Sequence, residues 1–190
     1  MIVQEQNFLT EYELKNLLEI MDYKLSYFKI PDYSFYEWCA INPEDPIYGT
    51  VFFQSIIKKQ LYFLNERIEK RDWKINYVGF AYQTEGYIYH ADNTYSENEE
   101  DRYMGTPDEN GEGFIEPRGV WIPNYVPTRI FTTVTYLNEV EGGGTHFPTH
   151  DLMVLPESKK LLGFHCDKDH IHGVTPTIRG IRKALIFWFD

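Results

Sequence analysis

Six histidines stand in the chain, at positions 90, 146, 150, 165, 170 and 172, and two of them open a His-x-Asp pair: His90-Ala91-Asp92 and His165-Cys166-Asp167. On an extended strand, side chains two apart point to the same face, so such a pair presents an imidazole and a carboxylate together. A second imidazole from a neighbouring strand completes a two-histidine, one-carboxylate set. That set can hold iron(II) and still leave coordination positions open for oxygen chemistry. Taken alone the pair is weak: with six His and eleven Asp in 190 residues, chance predicts about a third of an occurrence. A histidine beside an aspartate equally describes a buried, paired structural histidine. Other chemistries leave no trace, since no HExxH, GxSxG or phosphate-binding Gly-rich loop occurs. Cys39 and Cys166 are too few for a disulfide scaffold and lack the CxxC spacing of a zinc site.

The two pairs differ in setting. His165 and Asp167 belong to a polar cluster, HCDKDHIH, and a triad drawn from it would stand on one loop with little rigidity behind it. His90 and Asp92 close a short aromatic, β-rich run and need a third ligand from the carboxyl-terminal part. His170 and His172, two residues apart, are both candidates there.

His172-Gly173-Val174-Thr175-Pro176 is followed by Gly180 and Arg182, which puts Pro at +4, Gly at +8 and a basic residue at +10. Upstream, Arg129, Thr132, Tyr136 and Leu137 precede Glu141-Gly142-Gly143-Gly144-Thr145-His146-Phe147-Pro148, and Tyr82, Gly86 and Tyr87 precede His90. In this order, over residues 73–190, the motifs resemble the prolyl 4-hydroxylase-like 2-oxoglutarate and iron(II)-dependent dioxygenases. The first tyrosine stands one residue closer to the histidine than in that family's pattern. The resemblance selects His172 over His170 and implies that His90, Asp92 and His172 hold iron. It implies that the planar fork of Arg182 pairs with the far carboxylate of 2-oxoglutarate. Thr132 and Tyr82 would add hydroxyl donors, and Trp188, six residues after Arg182, would wall the pocket.

The implied cofactors are iron(II), 2-oxoglutarate as cosubstrate and O2, with ascorbate as an accessory reductant. The implied reaction is oxidative decarboxylation of 2-oxoglutarate to succinate, coupled to hydroxylation of a prolyl residue in a peptide or protein. Two other readings stay open: a hydroxylase of a free amino acid or other small metabolite, and a non-catalytic cupin-like metal-binding module. Nucleic-acid demethylation is disfavoured, because the related repair enzymes carry a second Arg where this chain has Trp188. Halogenation is disfavoured by the carboxylate of Asp92.

These residues need rigid elements behind them. Thr10 and Glu13 have capping-box spacing, and Leu14, Leu17, Leu18 and Met21 recur at helical intervals, which predicts a helix over residues 8–22. A second helix is expected over 50–71. Residues 30–48, rich in Pro, Asp and aromatics, read as loop with short pieces. Strands are expected over 75–82, 87–91, 129–138, 152–155, 160–164 and 182–189, with a turn at the 142–144 glycine triplet. Aromatics make up 17% of the chain, as suits pleated, half-buried strands. The expectation is a mainly β, double-stranded β-helix (a cupin-like jelly roll) in one domain, 1–190. Residues 1–72 would form supporting helices and 73–190 the catalytic core.

Within that core, residues 93–128 read as a long loop, with eight acidic residues against Arg102 alone in 97–116. If it closes over the substrate, its charge suggests a preference for basic peptides. A net charge of −11 argues against a nucleic-acid surface. No apolar run approaches the roughly 20 residues of a membrane span, and MIVQEQNF lacks a signal-peptide pattern. The expected compartment is the cytoplasm.

Overall fold

A computed structural model describes residues 1–25 and 36–190. Strand β1 (Ile2–Glu5) leads into α1 (Glu11–Leu25). The helix begins at Glu11, three residues later than the expected start at residue 8, because Thr10 is its cap. Thr10 N–H donates to Glu13 Oε2 at 2.7 Å, and Glu13 N–H donates to Thr10 Oγ1 at 3.2 Å. Strand β2 (Tyr36–Ala40) precedes α2 (Val51–Arg67), where the Thr50 hydroxyl accepts from Phe53 N–H. Lys59 of α2 meets Glu13 of α1 at 2.6 Å and joins the two helices.

The rest is mostly strand: β3 (Ile75–Gln83), β4 (Tyr87–His90), β5 (Thr94–Ser96), β6 (Trp121–Pro123) and β7 (Phe131–Tyr136). Then come β8 (Glu141–Gly142), β9 (Thr145–Phe147), β10 (Leu152–Val154), β11 (Leu161–His165), β12 (His172–Val174), β13 (Thr177–Arg179) and β14 (Arg182–Phe189). A major sheet has the order β1-β11-β7-β14-β3-β2 and a minor sheet the order β10-β9-β12-β4. The pairs β5-β6 and β8-β13 lie outside them. All pairings are antiparallel, and the chain forms a double-stranded β-helix.

Alternation divides the major sheet into two faces. Leu185, Phe187 and Phe189 of β14, with Val78, Phe80 and Tyr82 of β3, pack with Leu17, Met21, Phe53 and Leu64 of the helices. Ala184 and Ile186, with Val134 and Phe164, instead face the minor sheet and pack with Phe147 and Val154. Gln60, Thr133 and Thr135 satisfy one another on the helix side: Thr133 Oγ1 donates to Gln60 Oε1 at 3.1 Å, and Gln60 Nε2 donates to Thr135 Oγ1 at 3.2 Å. No helix among the described residues is long and apolar enough to cross a membrane.

Three expectations need correction. Residues 1–72 are more than helical support, because β1 and β2 supply both edges of the major sheet. The expected loop over 30–48 lies partly outside the described residues, and its remainder contains β2. Residues 93–128 are also more than a free loop. They carry β5 and β6, and Met104, Phe114 and Trp121 pack on Tyr89, Ala91 and Ile171 of the minor sheet's outer side. Neither β1 nor β2 shows clean alternation, so distant pairing rather than local pattern makes them strands.

Gly79 of β3 links this frame to the cavity described below. A Cβ there would stand 2.5 Å from Trp38 Cζ2 and 2.6 Å from the Cys39 carbonyl oxygen. Its absence lets Trp38 lie across β3, stacked on Tyr77 at 5.7 Å and edge-on to Trp188 at 5.1 Å. Gly79→Ala is expected to displace Trp38 and lower stability by about 1–3 kcal/mol, read as a lower midpoint in thermal melting with altered tryptophan fluorescence. An unchanged melt and spectrum would show this close approach to be dispensable.

Candidate active site

Strands β4 and β12 are neighbours in the minor sheet, with His90 directly opposite His172 and their rings 4.3 Å apart. Asp92 follows β4 and turns inward, buried. Ligand atoms of His90, Asp92 and His172 all lie within 4.8 Å of one another, and no other such cluster of His, Cys, Asp or Glu occurs among the described residues. The backbone sets the tautomers. Nδ1 of His90 lies 2.9 Å from the Ile88 carbonyl and Nδ1 of His172 lies 3.1 Å from the His170 carbonyl. A carbonyl only accepts, so Nδ1 carries the proton in each ring and Nε2 is left for a ligand.

Burial, helped by neighbouring His90, pulls His172 down to about 4, so its ring is neutral at physiological pH. Burial opposes the ionisation of Asp92, but the neighbouring His90 and the hydrogen bond from Thr132 outweigh it and hold the carboxyl well below its usual range. Against its own burial, His90 is in turn raised by Asp92. A carboxylate and a neutral imidazole are the forms a metal takes.

Asp92 is braced on several sides. Thr132 Oγ1 of β7 donates to Asp92 Oδ2 at 2.5 Å, and Asn124 Nδ2 donates to the Asp92 carbonyl at 3.0 Å. Cys166 Sγ lies 3.1 Å from Thr132 Oγ1. Burial, with the charge of Asp92, pushes the Cys166 thiol up and keeps it protonated.

The triad opens into a cavity of about 850 Å³ that also holds Arg182, Gln83, Thr145 and Trp188. Arg182 of β14 is only 2% exposed. Its Nη1 donates to Gln83 Oε1 at 2.8 Å and its Nη2 to Thr145 Oγ1 at 3.4 Å, while Nε has no partner. Among the described residues no carboxylate pairs with it. A buried guanidinium without an anion is costly unless a ligand supplies one.

The structure brings His90, Asp92, His172, Arg182 and Trp188 around one cavity. Two candidates differ from their expected roles. Tyr82 lies on the opposite face of β3, within the helix-side core, and its hydroxyl has no hydrogen-bond partner. Adjacent strand residues point opposite ways, so the one-residue offset in its spacing turns it outward and brings Gln83 to Arg182. Thr132 does line the cavity, but its hydroxyl proton is committed to Asp92 rather than free for a cosubstrate.

The second His-x-Asp pair is outside the cavity, with Asp167 bonded to His170 Nδ1 at 2.5 Å. His146 is likewise engaged, 2.6 Å from the Tyr89 hydroxyl. Among the described residues the acidic groups of 97–116 do not line the cavity, and the charged groups on its wall besides the triad are Arg102, Arg129 and Arg182. The cavity wall itself therefore lends no support to a preference for basic peptides.

Sequence reasoning assigned no role in the site to Gln83, Thr145 or Cys166. Parity was the available signal for one of them: Leu162, Phe164 and Cys166 follow the inward alternation of β11 and its extension. Gln83 is the lone polar end of an otherwise aromatic and aliphatic strand face.

If Arg182 awaits an anion, a dicarboxylate such as succinate or 2-oxoglutarate should raise the melting midpoint of the parent protein. At a hundredfold excess over Kd the gain is about 2.7 kcal/mol, and Arg182→Met should show none of it. Equal shifts in both proteins would place the anion elsewhere.

No protein-family model matches the chain, and no curated protein matches it. Solved structures do. The viral collagen prolyl hydroxylase of Paramecium bursaria chlorella virus-1, in its 2-oxoglutarate complex, aligns over 99% of this chain and 94% of its own at 19% identity and TM-score 0.67. A Pseudomonas putida prolyl-4-hydroxylase aligns over 100% and 91% at 18% identity and TM-score 0.62. A Trichoplax adhaerens prolyl hydroxylase, in complex with a hypoxia-inducible-factor peptide fragment, aligns over 99% and 82% at 16% identity and TM-score 0.62. The chain therefore has the double-stranded β-helix fold of these hydroxylases across nearly its whole length.

Proposed function

We propose that this chain is a 2-oxoglutarate- and iron(II)-dependent hydroxylase acting on prolyl residues of a peptide or protein. The observation that carries the reading is that one cavity holds both a two-histidine, one-carboxylate donor set and a buried guanidinium with no anion of its own. The residues fit both groups. His90, Asp92 and His172 offer mixed nitrogen and oxygen donors with room for further ligands, as iron(II) oxygenases need. The orphaned Nε of Arg182 fits a carboxylate. When bound, iron(II) and 2-oxoglutarate supply an oxidation in which O2 gives one oxygen atom to succinate and one to a substrate carbon, with release of carbon dioxide.

The protein's part is to bind, orient and exclude water. Nε2 of His90, Nε2 of His172 and a carboxylate oxygen of Asp92 hold the metal. Gln83 and Thr145 hold the plane of the Arg182 guanidinium, which fixes the far carboxylate and with it the reach of the 2-oxo end. Val134, Phe164, Ile186 and Trp188 give the cavity an apolar lining that keeps water from the reacting centre. Toward the mouth, Trp38, Tyr77 and Tyr87 offer flat apolar surfaces suited to a pyrrolidine ring, and the Arg129 guanidinium lies 4.6 Å over the Trp188 ring. The peptide held by the Trichoplax neighbour supports a peptide substrate.

The test is succinate formation by anaerobically loaded protein on exposure to air, with proline-containing peptides and free amino acids offered in parallel. Turnover with peptides is expected. His172→Ala should abolish it, and Arg182→Ala should raise the KM for 2-oxoglutarate roughly 10–150-fold, the loss of charge-assisted hydrogen bonds. Turnover with free amino acids alone would move the substrate to a small metabolite. Iron binding without any turnover would favour a binding module.

A further inference from the structure

Asp92 has two carboxylate oxygens, and nothing in its identity says which of them a metal would meet. A metal held by both would lose a coordination position that the chemistry needs. The surroundings of Asp92 discriminate between the two oxygens. Oδ1 lies toward His90, 3.6 Å from its Nε2. Oδ2 lies 2.5 Å from Thr132 Oγ1.

The direction of each bond follows from inventory. An ionised carboxylate only accepts, so the single proton of the Thr132 hydroxyl goes to Oδ2. The same Thr132 oxygen lies 3.1 Å from Cys166 Sγ, and with its proton spent it can only accept there. The S–H of Cys166 is therefore the donor to Thr132, with Asp92 Oδ2 a more distant acceptor at 4.0 Å. Threonine is β-branched and stiff at χ1, so a partner on its oxygen selects the rotamer that faces Asp92.

Three segments are tied together at this point by backbone bonds as well. Cys166 N–H donates to the Ile130 carbonyl at 3.0 Å, and Asn93 N–H donates to the Cys166 carbonyl at 3.1 Å. The thiol, the hydroxyl and the carboxylate thus come from the end of β11, from β7 and from the residues after β4, and all three are buried.

We propose that Thr132 and Cys166 are positioning residues: the thiol holds the threonine hydroxyl, the hydroxyl occupies Asp92 Oδ2, and Oδ1 alone is offered to the metal. This rests on the metal-site reading above and adds to it a reason for a cysteine inside a site that uses no thiol chemistry. It also accounts for Thr132 facing the cavity while making no bond to Arg182.

The test is Mn(II) affinity, followed by the electron paramagnetic resonance of free Mn(II), in the parent and in Thr132→Val, Thr132→Ser, Cys166→Ala and Cys166→Ser, with His172→Ala as the reference for a lost site. Thr132→Val keeps the shape and loses the hydroxyl, and should weaken binding roughly 10–100-fold, as loss of an outer partner of a ligand does. Thr132→Ser should stay close to the parent. Cys166→Ala should fall between them and Cys166→Ser should recover. The Co(II) visible spectrum should change in Thr132→Val and be restored in Thr132→Ser.

Thermal melts of the metal-free proteins identify any variant that has lost its fold, and Thr132→Ser and Cys166→Ala then carry the comparison. Parent-like affinity in folded Thr132→Val, or Thr132→Ser as weak as Thr132→Val, overturns the proposal alone. A parent that binds no Mn(II) overturns the metal-site reading, and the proposal with it.

Discussion

A slip of one residue in the pairing of β3, β14 and β7 would turn Arg182 and Thr132 away from the cavity and bring Lys183 and Thr133 into it. Every functional side chain on the major sheet depends on that register. What holds it is the difference between the two faces. Leu185, Phe187 and Phe189 must meet the helices, and Ala184 and Ile186 must meet the minor sheet. A slipped strand would put Arg182 and Gln83 against Leu17, Met21 and Phe53. The same constraint operates across the minor sheet, where the pairing of β4 with β12 sets His90 opposite His172. The edges matter too: β1 and β2 close the major sheet at both sides, and β2 delivers Trp38 to the cavity over Gly79.

Within that frame the electrostatics are concentrated and deliberate in sign. The chain carries a net charge of −11, yet among the described residues the charged groups of the cavity wall beyond the triad are arginines. Acidic side chains of residues 97–116 stay outside it, on a segment whose apolar residues cover the minor sheet. The cavity therefore meets an anionic cosubstrate with a cation already desolvated and oriented, which makes the interaction stronger than at the surface. Asp92 is the negative counterpart. His90 and Thr132 keep it ionised despite burial, so the site combines one anion for a cation and one cation for an anion.

Much of this was legible in the sequence where function is written as spacing. His172 with Arg182 ten residues on was picked out by the resemblance of that spacing to a known family, whereas His90 and Asp92 lie close enough along the chain for strand geometry to relate them. The Thr10-Glu13 cap and the strand around 129–138 were readable for the same reason. Legibility fails where the decision is tertiary. Tyr82 and Gln83 are neighbours, and only the pairing with β14 decides which of them faces Arg182. Thr132 was recognisable as a cavity residue, but the choice between a cosubstrate and Asp92 as its partner depends on a distance between strands that are far apart in the chain. Strands β1 and β2 and the packed segment 93–128 were missed because their stability comes from surfaces supplied elsewhere, with no local period to announce it.

The central claim is that metal and cosubstrate meet in one cavity, the first on His90, Asp92 and His172 and the second on Arg182. The most direct measurement is an anaerobic titration of the iron(II)-loaded protein with 2-oxoglutarate, following the visible charge-transfer absorption that iron(II) gives when chelated by a 2-oxo acid. The account predicts a band that saturates at one 2-oxoglutarate per chain, disappears in Asp92→Ala, and needs far more 2-oxoglutarate in Arg182→Met. No band in the parent, or the same titration curve in Arg182→Met, would contradict it.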